Sequence, residues 1–485
     1  MRLETIHTAH IHVYTLMGGI RKMRYCRLLA LLVVTLLVSS CYKDNDITTV
    51  NDYCYIKSVT LGTVKRKTAT LNTTFSGSTY HMTINQRTGI IENREKLPYG
   101  SQLSAVLATI AFDGSLLTYR VDGSNGPWTA YNSTDSLDLT SPLELFLVGN
   151  DYDSNRTYTL KVNVHNLEGD SLYWNKCEEN VAELAGMTDM KAFILDDKLM
   201  VIGKNGTDIV IAERSGIEAN GTWKIVNDNE HPTDMPVTAD LQTLRQQEGT
   251  LYLSTSDGQI LSSSDANTWV EVGQPYNAAL TLIEKTKDYF YAISASENKL
   301  LRSGDAIDWS HVEKLDTKAD SLPTHDIRAL SAEQANGNTR IVLVGQRDAA
   351  TEEDKPKYNH GFVWNKMWNE SEKEEEAEWI FFPLSSDNTI PCPRLQYFNM
   401  LPYDGKCIAF GGASSDGKHK ALDAMYISQD YGLTWRPDKE LHMPFDLIGI
   451  EGCITSAVDK NNYIWIITNA QVWRGRLNRL GFEQQ

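Results

Sequence analysis

The chain has 485 residues, of which 41% are hydrophobic and 22% are charged, and its formal net charge is −17. This composition is typical of a folded globular protein and excludes a disordered or collagen-like chain. The strong negative charge excludes a nucleic-acid binder with a basic surface and disfavours polyanionic ligands. The length indicates two or three domains.

The first predicted element is a signal peptide over residues 1–40. Basic residues from Arg21 to Arg27 precede an apolar run over residues 28–38, and two small residues follow it. The run is short for a bilayer-spanning helix, which favours a cleaved secretory signal. The residues before Met23 fit a signal peptide poorly, so Met23 is an alternative start.

Cys41 is predicted to be the lipidation site. Val38–Cys41 resembles the lipobox of bacterial lipoproteins, in which the cysteine carries the lipid and becomes the first residue of the mature chain. A plain signal peptide with an incidental cysteine is the alternative. Residues 41–52 are interpreted as a lipidated tether, and their acidic stretch is similar to the surface-export signal of Bacteroidota lipoproteins. The resemblance implies a surface-exposed outer-membrane lipoprotein.

Residues 53–165 are predicted to form an immunoglobulin-like β-sandwich. Thr157–Val164 alternates apolar and polar residues with the period of a half-buried strand, as do His81–Ile84 and Leu143–Val148. Turn-forming residues separate these runs, and no long helical pattern occurs. The Cys…Trp…Cys spacing of true immunoglobulin domains is absent. Asn166–Ser171 is interpreted as a linker.

Residues 171–483 are predicted to form a β-propeller of six blades, because an apolar strand recurs six times. Seven blades remain possible if the long fourth repeat contains another one. The last repeat lacks its fourth strand, and we expect Ser171–Lys176, which carries Trp174, to complete that blade. The six recurring strands are Leu199–Gly203, Leu251–Ser254, Tyr289–Ile293, Ile341–Gly345, Cys407–Gly412 and Tyr463–Ile467.

Three repeats contain a turn that resembles the Asp-box of sialidase-type propellers. In such a turn, Ser and Asp side chains bond the backbone, Gly supplies a positive φ, and Trp packs against the neighbouring sheet. The motif therefore predicts fold and not catalysis. Its residues are Ser428, Asp430, Gly432, Thr434 and Trp435 in the complete copy, and Asp265, Trp269, Asp305 and Trp309 in two copies that lack the glycine.

The sequence carries none of the motifs that identify common catalytic sites. The nucleophile elbow, the zinc-protease motif and the phosphate-binding loop are absent. Sialidases also carry an Arg-Ile-Pro motif, and Pro393–Leu395 is its nearest match, in the wrong repeat. We therefore predict a protein that is not an enzyme and has no cofactor. No metal site is predicted, because the histidines are dispersed and the cysteines are unpaired in sequence.

Two other groups are predicted to be structural. The acidic run Glu370–Glu378 lacks the spacing of a calcium loop and is interpreted as a solvated hairpin tip. The cysteines after the signal segment are odd in number and scattered, which excludes a dense disulfide framework. Most are expected to be small buried residues: Cys54, Cys177, Cys392, Cys407 and Cys453.

Two long loops are predicted to rim the propeller axis. Residues 348–359 and 414–424 join the second and third strands of their repeats, and binding sites are often built on such loops. Neutral variation in loop length is the alternative. The candidate binding residues on this rim are Tyr358, His360, Arg394, Lys418 and His419.

The chain as a whole resembles uncharacterised Bacteroidota surface lipoproteins that join an N-terminal β-sandwich to a C-terminal propeller. That family implies no assigned reaction. The leading hypothesis is a non-catalytic protein, anchored to the membrane, whose propeller binds a glycan or a surface protein. A propeller glycoside hydrolase or lyase is one alternative and would need several axial carboxylates or a metal. A structural envelope component is the other. We expect a ligand that is not acidic, because the chain itself is strongly negative.

Overall fold

The computed structural model describes most of residues 54–482, so the predicted signal peptide, tether and Cys41 lie outside the described residues. In the described part, the chain forms β-strands and short 3₁₀ turns and no α-helix, and no helix there could cross a membrane. Two compact units meet between His165 and Asn166. Within 54–482 the residues not described are 274, 275, 277, 335, 352, 354–357, 386–388, 415, 439, 440, 469 and 470.

The first unit contains three sheets that share one apolar core. Strand neighbours are antiparallel except β5 and β12, which are parallel. The sheets, in spatial order, are β1 (Tyr55–Leu61), β7 (Val106–Asp113), β10 (Ser136–Leu137); β4 (Met82–Asn85), β5 (Ile90–Asn93), β12 (Asn155–Lys161), β11 (Leu143–Val148), β8 (Leu116–Val121), β9 (Thr129–Ala130); and β3 (Asn72–Ser76), β2 (Thr63–Lys67), β6 (Ser101–Gln102).

Strand β11 shows how alternation builds this core. Leu143, Leu145 and Leu147 are buried, while the residues between them are partly exposed. Successive side chains of a strand point to opposite faces, so every second residue packs inward. The predicted strand Leu143–Val148 is confirmed with these bounds, because its apolar period of two is uninterrupted.

The second unit contains six four-stranded antiparallel sheets in its described residues. They are sheet 1, β14 (Asp189–Leu195), β15 (Lys198–Asn205), β16 (Asp208–Arg214), β17 (Trp223–Ile225); sheet 2, β18 (Arg245–Gln247), β19 (Thr250–Ser254), β20 (Ile260–Ser263), β21 (Val270–Val272); sheet 3, β22 (Thr281–Lys285), β23 (Phe290–Ser294), β24 (Lys299–Ser303), β25 (His311–Val312); sheet 4, β26 (His325–Glu333), β27 (Thr339–Gln346), β28 (Phe362–Trp368), β29 (Trp379–Phe382); sheet 5, β30 (Asn399–Tyr403), β31 (Lys406–Phe410), β32 (Tyr426–Ser428), β33 (Arg436–Pro437); and sheet 6, β34 (Ile454–Val458), β35 (Ile464–Thr468), β36 (Gln471–Leu477), β13 (Leu172–Glu179).

Each of the six apolar runs singled out in the sequence forms the second strand of one of these sheets. These strands are buried on both faces, because neighbouring sheets cover them on each side. Their long apolar runs follow from that position. Short 3₁₀ turns that lie wholly within the described residues are Gly77–Thr79, Ala182–Leu184, Leu241–Thr243, Ala319–Ser321, Phe445–Leu447 and Asn478–Gly481.

The first strands of the six sheets contact one another around a ring. Strand β18 contacts β22, and contacts continue from β22 to β26, β30 and β34 in turn. Strand β34 then contacts β14, and β14 contacts the turn Leu241–Thr243, which precedes β18. Side chains bond across these contacts: Thr455 Oγ1 accepts from Ala192 N at 2.8 Å, and Asn399 Nδ2 donates to Ile454 O at 3.2 Å. We call these six strands the inner strands.

Strand β13, at the start of the unit, pairs with β36, at its end. The register places Trp174 opposite Gly475, and the indole ring packs over that glycine so closely that an added Cβ would lie 2.4 Å from a ring atom. Trp174 Nε1 also donates to His442 O at 2.7 Å. The predicted closing segment Ser171–Lys176 thus lies at the outer edge of sheet 6.

The complete Ser–Asp–Trp turn is held by its own side chains. Asp430 Oδ1 accepts from the backbone nitrogens of Leu433 and Thr434 at 3.1 and 3.0 Å. Ser428 Oγ accepts from Gly432 N at 2.6 Å. Gly432 has a φ of +97°, and Trp435 Nε1 donates to its carbonyl at 2.8 Å. The turn orients the tryptophan, which is buried against the neighbouring sheet 4 side chains.

The two other turns are one residue shorter, and an alanine takes the positive φ. Ala266 and Ala306 have φ values of +67° and +58°. Each carbonyl accepts from the tryptophan that follows three residues later, Trp269 at 2.8 Å and Trp309 at 3.1 Å. A left-handed alanine costs roughly 1 kcal/mol, and the tryptophan hydrogen bond and burial offset this cost.

The interpretation of Glu370–Glu378 as a solvated tip is wrong for Glu374 and Ala377, which are buried. Glu374 is 9% exposed, and its Oε1 accepts from Thr286 Oγ1 at 2.7 Å and Tyr291 Oη at 2.9 Å. The side chain fixes the hairpin of sheet 4 to sheet 3. Charge density in the sequence did not reveal this contact, because its hydroxyl partners lie more than 80 residues earlier.

The cysteines behave largely as predicted. Cys54, Cys392, Cys407 and Cys453 are buried, and Cys177 is partly buried. None of the described cysteines forms a disulfide. Burial raises the pKa of the Cys407 thiol to about 12, so this thiol stays protonated and inert at neutral pH.

Candidate functional site

Three cationic side chains lie on inner strands of three sheets: Lys191 on β14, Arg245 on β18 and Arg328 on β26. We call them the axial cluster. On β14, the flanking residues Met190 and Ala192 belong to the apolar core. Because side chains alternate across a strand, Lys191 points away from that core. The inner strands thus carry these three cations alongside acidic side chains such as Glu284 on β22 and Asp326 on β26.

Arg245 is fixed by three backbone carbonyls. Its Nε donates to Ile283 O, and its Nη1 donates to Gln242 O at 3.2 Å and Leu244 O at 2.8 Å. The residue is only 8% exposed. Among the described residues, its buried Nη2 has no hydrogen-bond partner. One donor of the guanidinium is therefore left for an acceptor that the described chain does not supply.

Arg328 joins β26 to the segment before β30. Its Nε donates to Phe398 O and its Nη1 donates to Ile327 O, both at 3.0 Å. Burial lowers the pKa of Arg328, and the carboxylates of Asp326 and Asp240 act in the opposite direction. The guanidinium remains charged and partly exposed in the ring.

Lys191 is the most perturbed member of the cluster. Burial lowers its pKa to about 7, and repulsion from Arg245 and Arg328 adds to this effect. Asp189 and Asp240 oppose it more weakly. In the described part of the chain, the Lys191 ammonium makes no hydrogen bond or ion pair, although the side chain is partly exposed. The amine is therefore poised to change its charge near neutral pH.

The acids near the cluster are held by other donors. Asp189 Oδ1 accepts from Gln242 Nε2 at 2.6 Å, and Asp240 Oδ1 accepts from Gln242 N at 3.0 Å. Glu284 is buried, and its Oε1 accepts from Lys285 N at 3.0 Å. Burial raises the pKa values of Asp240 and Glu284. Within the described residues, no ion pair shorter than 4 Å joins these acids to the cluster.

Two of the predicted rim residues meet near the start of β26. Arg394 Nη1 donates to the Tyr358 carbonyl at 3.0 Å, and Arg394 Nη2 donates to Asp348 Oδ1 at 2.8 Å. His325 Nε2, at the start of β26, lies 3.7 Å from the same Asp348 oxygen. Arg394 thus binds the described part of the loop 348–359 and holds Asp348 near the inner strand that carries Arg328.

Lys418 and His419 lie in a second group, on the loop of sheet 5. Lys418 Nζ lies 2.8 Å from Asp416 Oδ2, which also accepts from Asn359 Nδ2 at 2.7 Å. Hydrogen bonds from Lys418 and Ser414 lower the pKa of Asp416. His419 Nδ1 lies 3.5 Å from an Asp423 oxygen. The Asn359–Asp416 bond connects the two long loops.

His360 lies deeper than a rim residue. It is buried and stacks on Phe362, with ring centroids 5.5 Å apart. Burial lowers the pKa of His360, so the imidazole is neutral at neutral pH. The five predicted residues therefore form two groups on the loops and one packed histidine, and they do not converge on one point.

The axial cluster was missed in the sequence. Two of its members are single charges between apolar residues, as in Met190-Lys191-Ala192 and Ile327-Arg328-Ala329, whereas Arg245 is followed by two glutamines. A lone charge inside a buried strand was the signal that could have found it. No group of His, Cys, Asp or Glu that could hold a metal ion occurs in the described residues.

Two family profiles match the chain. Residues 168–485 match a family described as the DUF6242 beta propeller domain, and residues 59–162 match the domain of unknown function described as the DUF6242 N-terminal domain. No curated protein matches the chain.

Several solved structures are similar to the chain at low identity. A streptogramin B lyase is 9% identical with a TM-score of 0.36, over 64% of this chain and 99% of that one. The GH93 alpha-L-arabinofuranosidase of Fusarium graminearum, solved with arabinobiose, is 14% identical with a TM-score of 0.36, over 60% and 92%. The SapL1 lectin, solved with alpha methyl fucoside, is 11% identical with a TM-score of 0.35, over 60% and 91%. At such TM-scores these likenesses carry no argument about activity.

Proposed function

The chain belongs to the DUF6242 family and contains its β-propeller domain, and on that premise we propose that this propeller is a non-catalytic binding module of a lipid-anchored surface protein. Its ligand is a glycan or a surface protein, held where the inner strands open beneath the two connected loops. The finer parts of the proposal are lipidation at Cys41, an immunoglobulin-like N-terminal domain and a propeller of six blades closed by β13.

The axial cluster is the observation that carries this proposal. Charged side chains are rarely placed in buried strands unless they are paired. Within the described residues none of these three cations forms an ion pair within 4 Å, although nearby carboxylates attract them: Asp189, Asp240, Glu284 and Asp326. Elsewhere in the unit, two buried cations have direct acid partners: Arg214 lies 2.6 Å from Glu178 Oε1 and Lys366 lies 2.5 Å from Glu313 Oε2. Burying cations without an ion-pair partner costs free energy, and packing does not explain why these three are there. We therefore take them as a binding site.

The test is a binding screen of the full chain on arrays of glycans and surface proteins, with hydrolysis assays in parallel. We expect retention of a ligand without release of product. Arg394→Ala should weaken binding, because Arg394 holds both Asp348 and the Tyr358 carbonyl. The matched control is Arg436→Ala, an exposed arginine on the outer strand β33. Equal loss in both variants, or binding to nothing on either array, contradicts the proposal.

A propeller hydrolase or lyase is the second candidate, favoured by one specific observation. Burial raises the pKa values of Asp240 and Glu284, and the pKa of Lys191 is lowered to about 7. Groups with such shifts suit general acid and base catalysis near neutral pH. Product formation that is lost in Asp240→Asn or Glu284→Gln supports this candidate and overturns the non-catalytic one.

A further inference from the structure

Resting on the proposed binding function, we infer that the axial cluster is the subsite for one anionic group of the ligand, the carboxylate or sulfate of an acidic sugar. Lys191, Arg245 and Arg328 hold that group. The net charge of the chain favours a ligand that is not acidic, whereas the local arrangement of cations favours an acidic one.

A second cation cluster in the same unit shows what a purely structural arrangement looks like. Glu313 lies at its centre and is almost fully buried. Lys366 Nζ lies 2.5 Å from one Glu313 oxygen, and Arg302 Nε lies 3.3 Å from the other. Trp379 Nε1 donates to the same carboxylate at 3.0 Å. Both cations have the acid that burial demands.

The axial cluster has no such central acid. Lys191 is repelled by Arg245 and Arg328. Arg245 is attracted by the Glu284 carboxylate, which forms no ion pair with it within 4 Å, and is repelled less strongly by Arg328. Among the described residues, no carboxylate lies within 4 Å of these three cations in the way that Glu313 lies beside Lys366 and Arg302. An anion in the ring would supply it, and each charge-assisted hydrogen bond to it would contribute about 1.5–3 kcal/mol.

The donors needed for an anion are present in the cluster. Arg245 is more than nine-tenths buried and its Nη2 lacks a partner among the described residues. The ammonium of Lys191 is likewise uncommitted there, and Lys191 and Arg328 keep partial exposure to solvent. A planar carboxylate or a tetrahedral sulfate accepts from several such donors at once.

The nearby acids offset part of the charge of the cluster, since Glu284 attracts Arg245 and Asp326 attracts Arg328, but none forms an ion pair with it within 4 Å. Asp189 and Asp240 accept from the side chain and backbone of Gln242, and Glu284 accepts from the backbone of Lys285. The raised pKa values of Asp240 and Glu284 mean that burial disfavours their charged forms. The cations therefore remain available to a ligand, although the whole chain is negative.

The experiment measures binding of the full chain to a galacturonic acid trisaccharide, a neutral galactose trisaccharide and inorganic sulfate by titration calorimetry. We expect the acidic sugar to bind at least about tenfold more tightly than the neutral one. Lys191→Met should lower the affinity for the acidic sugar about tenfold and leave that for the neutral sugar unchanged. Because Lys191 makes no hydrogen bond in the described chain, this variant should fold, and its melting temperature checks that.

Lys198→Met is the matched control. Lys198 lies on the next strand of the same hairpin, is exposed, and pairs with Glu213 at 3.1 Å. It should leave every affinity unchanged. A more conservative change, Arg245→Lys, keeps the charge but loses the fork of donors, and it should weaken binding of the acidic sugar as well.

The outcomes separate the subsite from the binding function. Equal affinity for the acidic and neutral sugars, or a Lys191→Met chain that binds the acidic sugar as tightly as the wild type, overturns the subsite while leaving glycan binding intact. Sulfate binding that depends on Lys191, without binding of either sugar, supports the anion site and contradicts the glycan function. Absence of binding to all three probes overturns the subsite, and the glycan and surface-protein arrays decide the binding function separately.

Discussion

Glu374 stabilises the fold by accepting hydrogen bonds and not by its charge. Thr286 and Tyr291 both donate to its Oε1. We predict that Glu374→Ala lowers the free energy of unfolding by about 1–3 kcal/mol, since two buried hydroxyls lose their acceptor. Glu374→Gln keeps the acceptor and should be as stable as the wild type at pH 7, or more stable. Chemical denaturation measures both, with the exposed Glu376→Gln as control.

The Glu374 carboxyl group also makes the stability of the wild type depend on pH in a way that Glu374→Gln does not share. Burial raises the pKa of Glu374 above its unfolded value of 4.5. The protonated form is favoured in the folded state. Its contribution to folding stability is therefore complete below pH 4.5 and is lost as the pH rises through the pKa of the folded state. The free energy of unfolding of the wild type should therefore rise relative to that of Glu374→Gln as the pH falls toward 4.5. A constant difference contradicts this.

Gly432 tests the geometry of the complete Ser–Asp–Trp turn. Its φ is +97°, and an added Cβ would lie 2.9 Å from Val342 Cγ1. Gly432→Ala should destabilise the chain by about 2–4 kcal/mol, because a left-handed backbone and a clash add together. Gly405→Ala shares the positive φ but meets no atom within 4 Å. It should cost only about 1 kcal/mol, and equal losses in thermal unfolding would contradict the role of the contact.

Lys191 gives the anion subsite a pH signature. The groups that face it are Arg245 and Arg328, which repel its proton, and Asp189 and Asp240, which attract it. With a pKa near 7, the amine loses its charge between pH 6 and pH 8.5, so affinity for the galacturonic acid trisaccharide should fall several-fold over that range. Lys191→Met should bind with little change across the same pH values. A flat wild-type profile contradicts a charged Lys191 in the site.

At the scale of elements, the pairing of β13 with β36 depends on one glycine. Gly475 lies under the Trp174 ring, 2.4 Å from the position that a Cβ would take. Gly475→Ala should force the indole out and lower the free energy of unfolding by about 1–3 kcal/mol. Gly304→Ala, where no atom lies within 4 Å, is the control and should be neutral. Equal melting temperatures for the two variants would show that Trp174 does not hold this edge.

Strands that are covered on both faces were predictable from the sequence, and inner strands were not. Leu199–Gly203 and Tyr463–Ile467 are continuous apolar runs, because sheets pack on both of their faces. The inner strand β14 begins Asp-Met-Lys and β26 begins His-Asp-Ile-Arg, so charges interrupt the apolar pattern there. The residues that bear the proposed site are the ones that break the rule by which strands are recognised.

The turns show the same limit at a finer level. The complete copy predicted its hydrogen bonds from the identities of Ser428, Asp430 and Gly432. The shorter copies were interpreted as degraded, but Ala266 and Ala306 adopt the positive φ expected of glycine. Their left-handed backbone depends on the tryptophan three residues later, and that tertiary packing is not written in the local sequence.

For the whole molecule, the lipid anchor remains a prediction from sequence. Cys41→Ala should move the chain from the membrane fraction to the soluble fraction and abolish labelling by a radioactive fatty acid. Cys54→Ala is the control, because Cys54 is buried in the first unit and should keep the label. Equal labelling of the Cys41→Ala chain would contradict lipidation at this residue.

The net charge and the local arrangement of charges predict different ligands. A chain of charge −17 was expected to repel acidic sugars. The inner ring nevertheless gathers Lys191, Arg245 and Arg328, and charges more than about 10 Å away are screened by salt at 0.1 M. A bound group senses the nearest side chains, so the sum over the surface decides solubility and not specificity.

The pairing of β13 with β36 also sets the order in which this chain can fold. Contacts in this region join residues 309 positions apart, as between Asp170 and Arg479. During synthesis, β13 is the first strand of the second unit to leave the ribosome. It stays unpaired until β36 is made, while the five sheets between them form from local contacts. Until β13 pairs with it, the newly made β36 has an open edge that an equivalent strand from a nearby copy can occupy. Refolding at high concentration should therefore yield dimers that exchange β13, and dilute refolding should yield monomers.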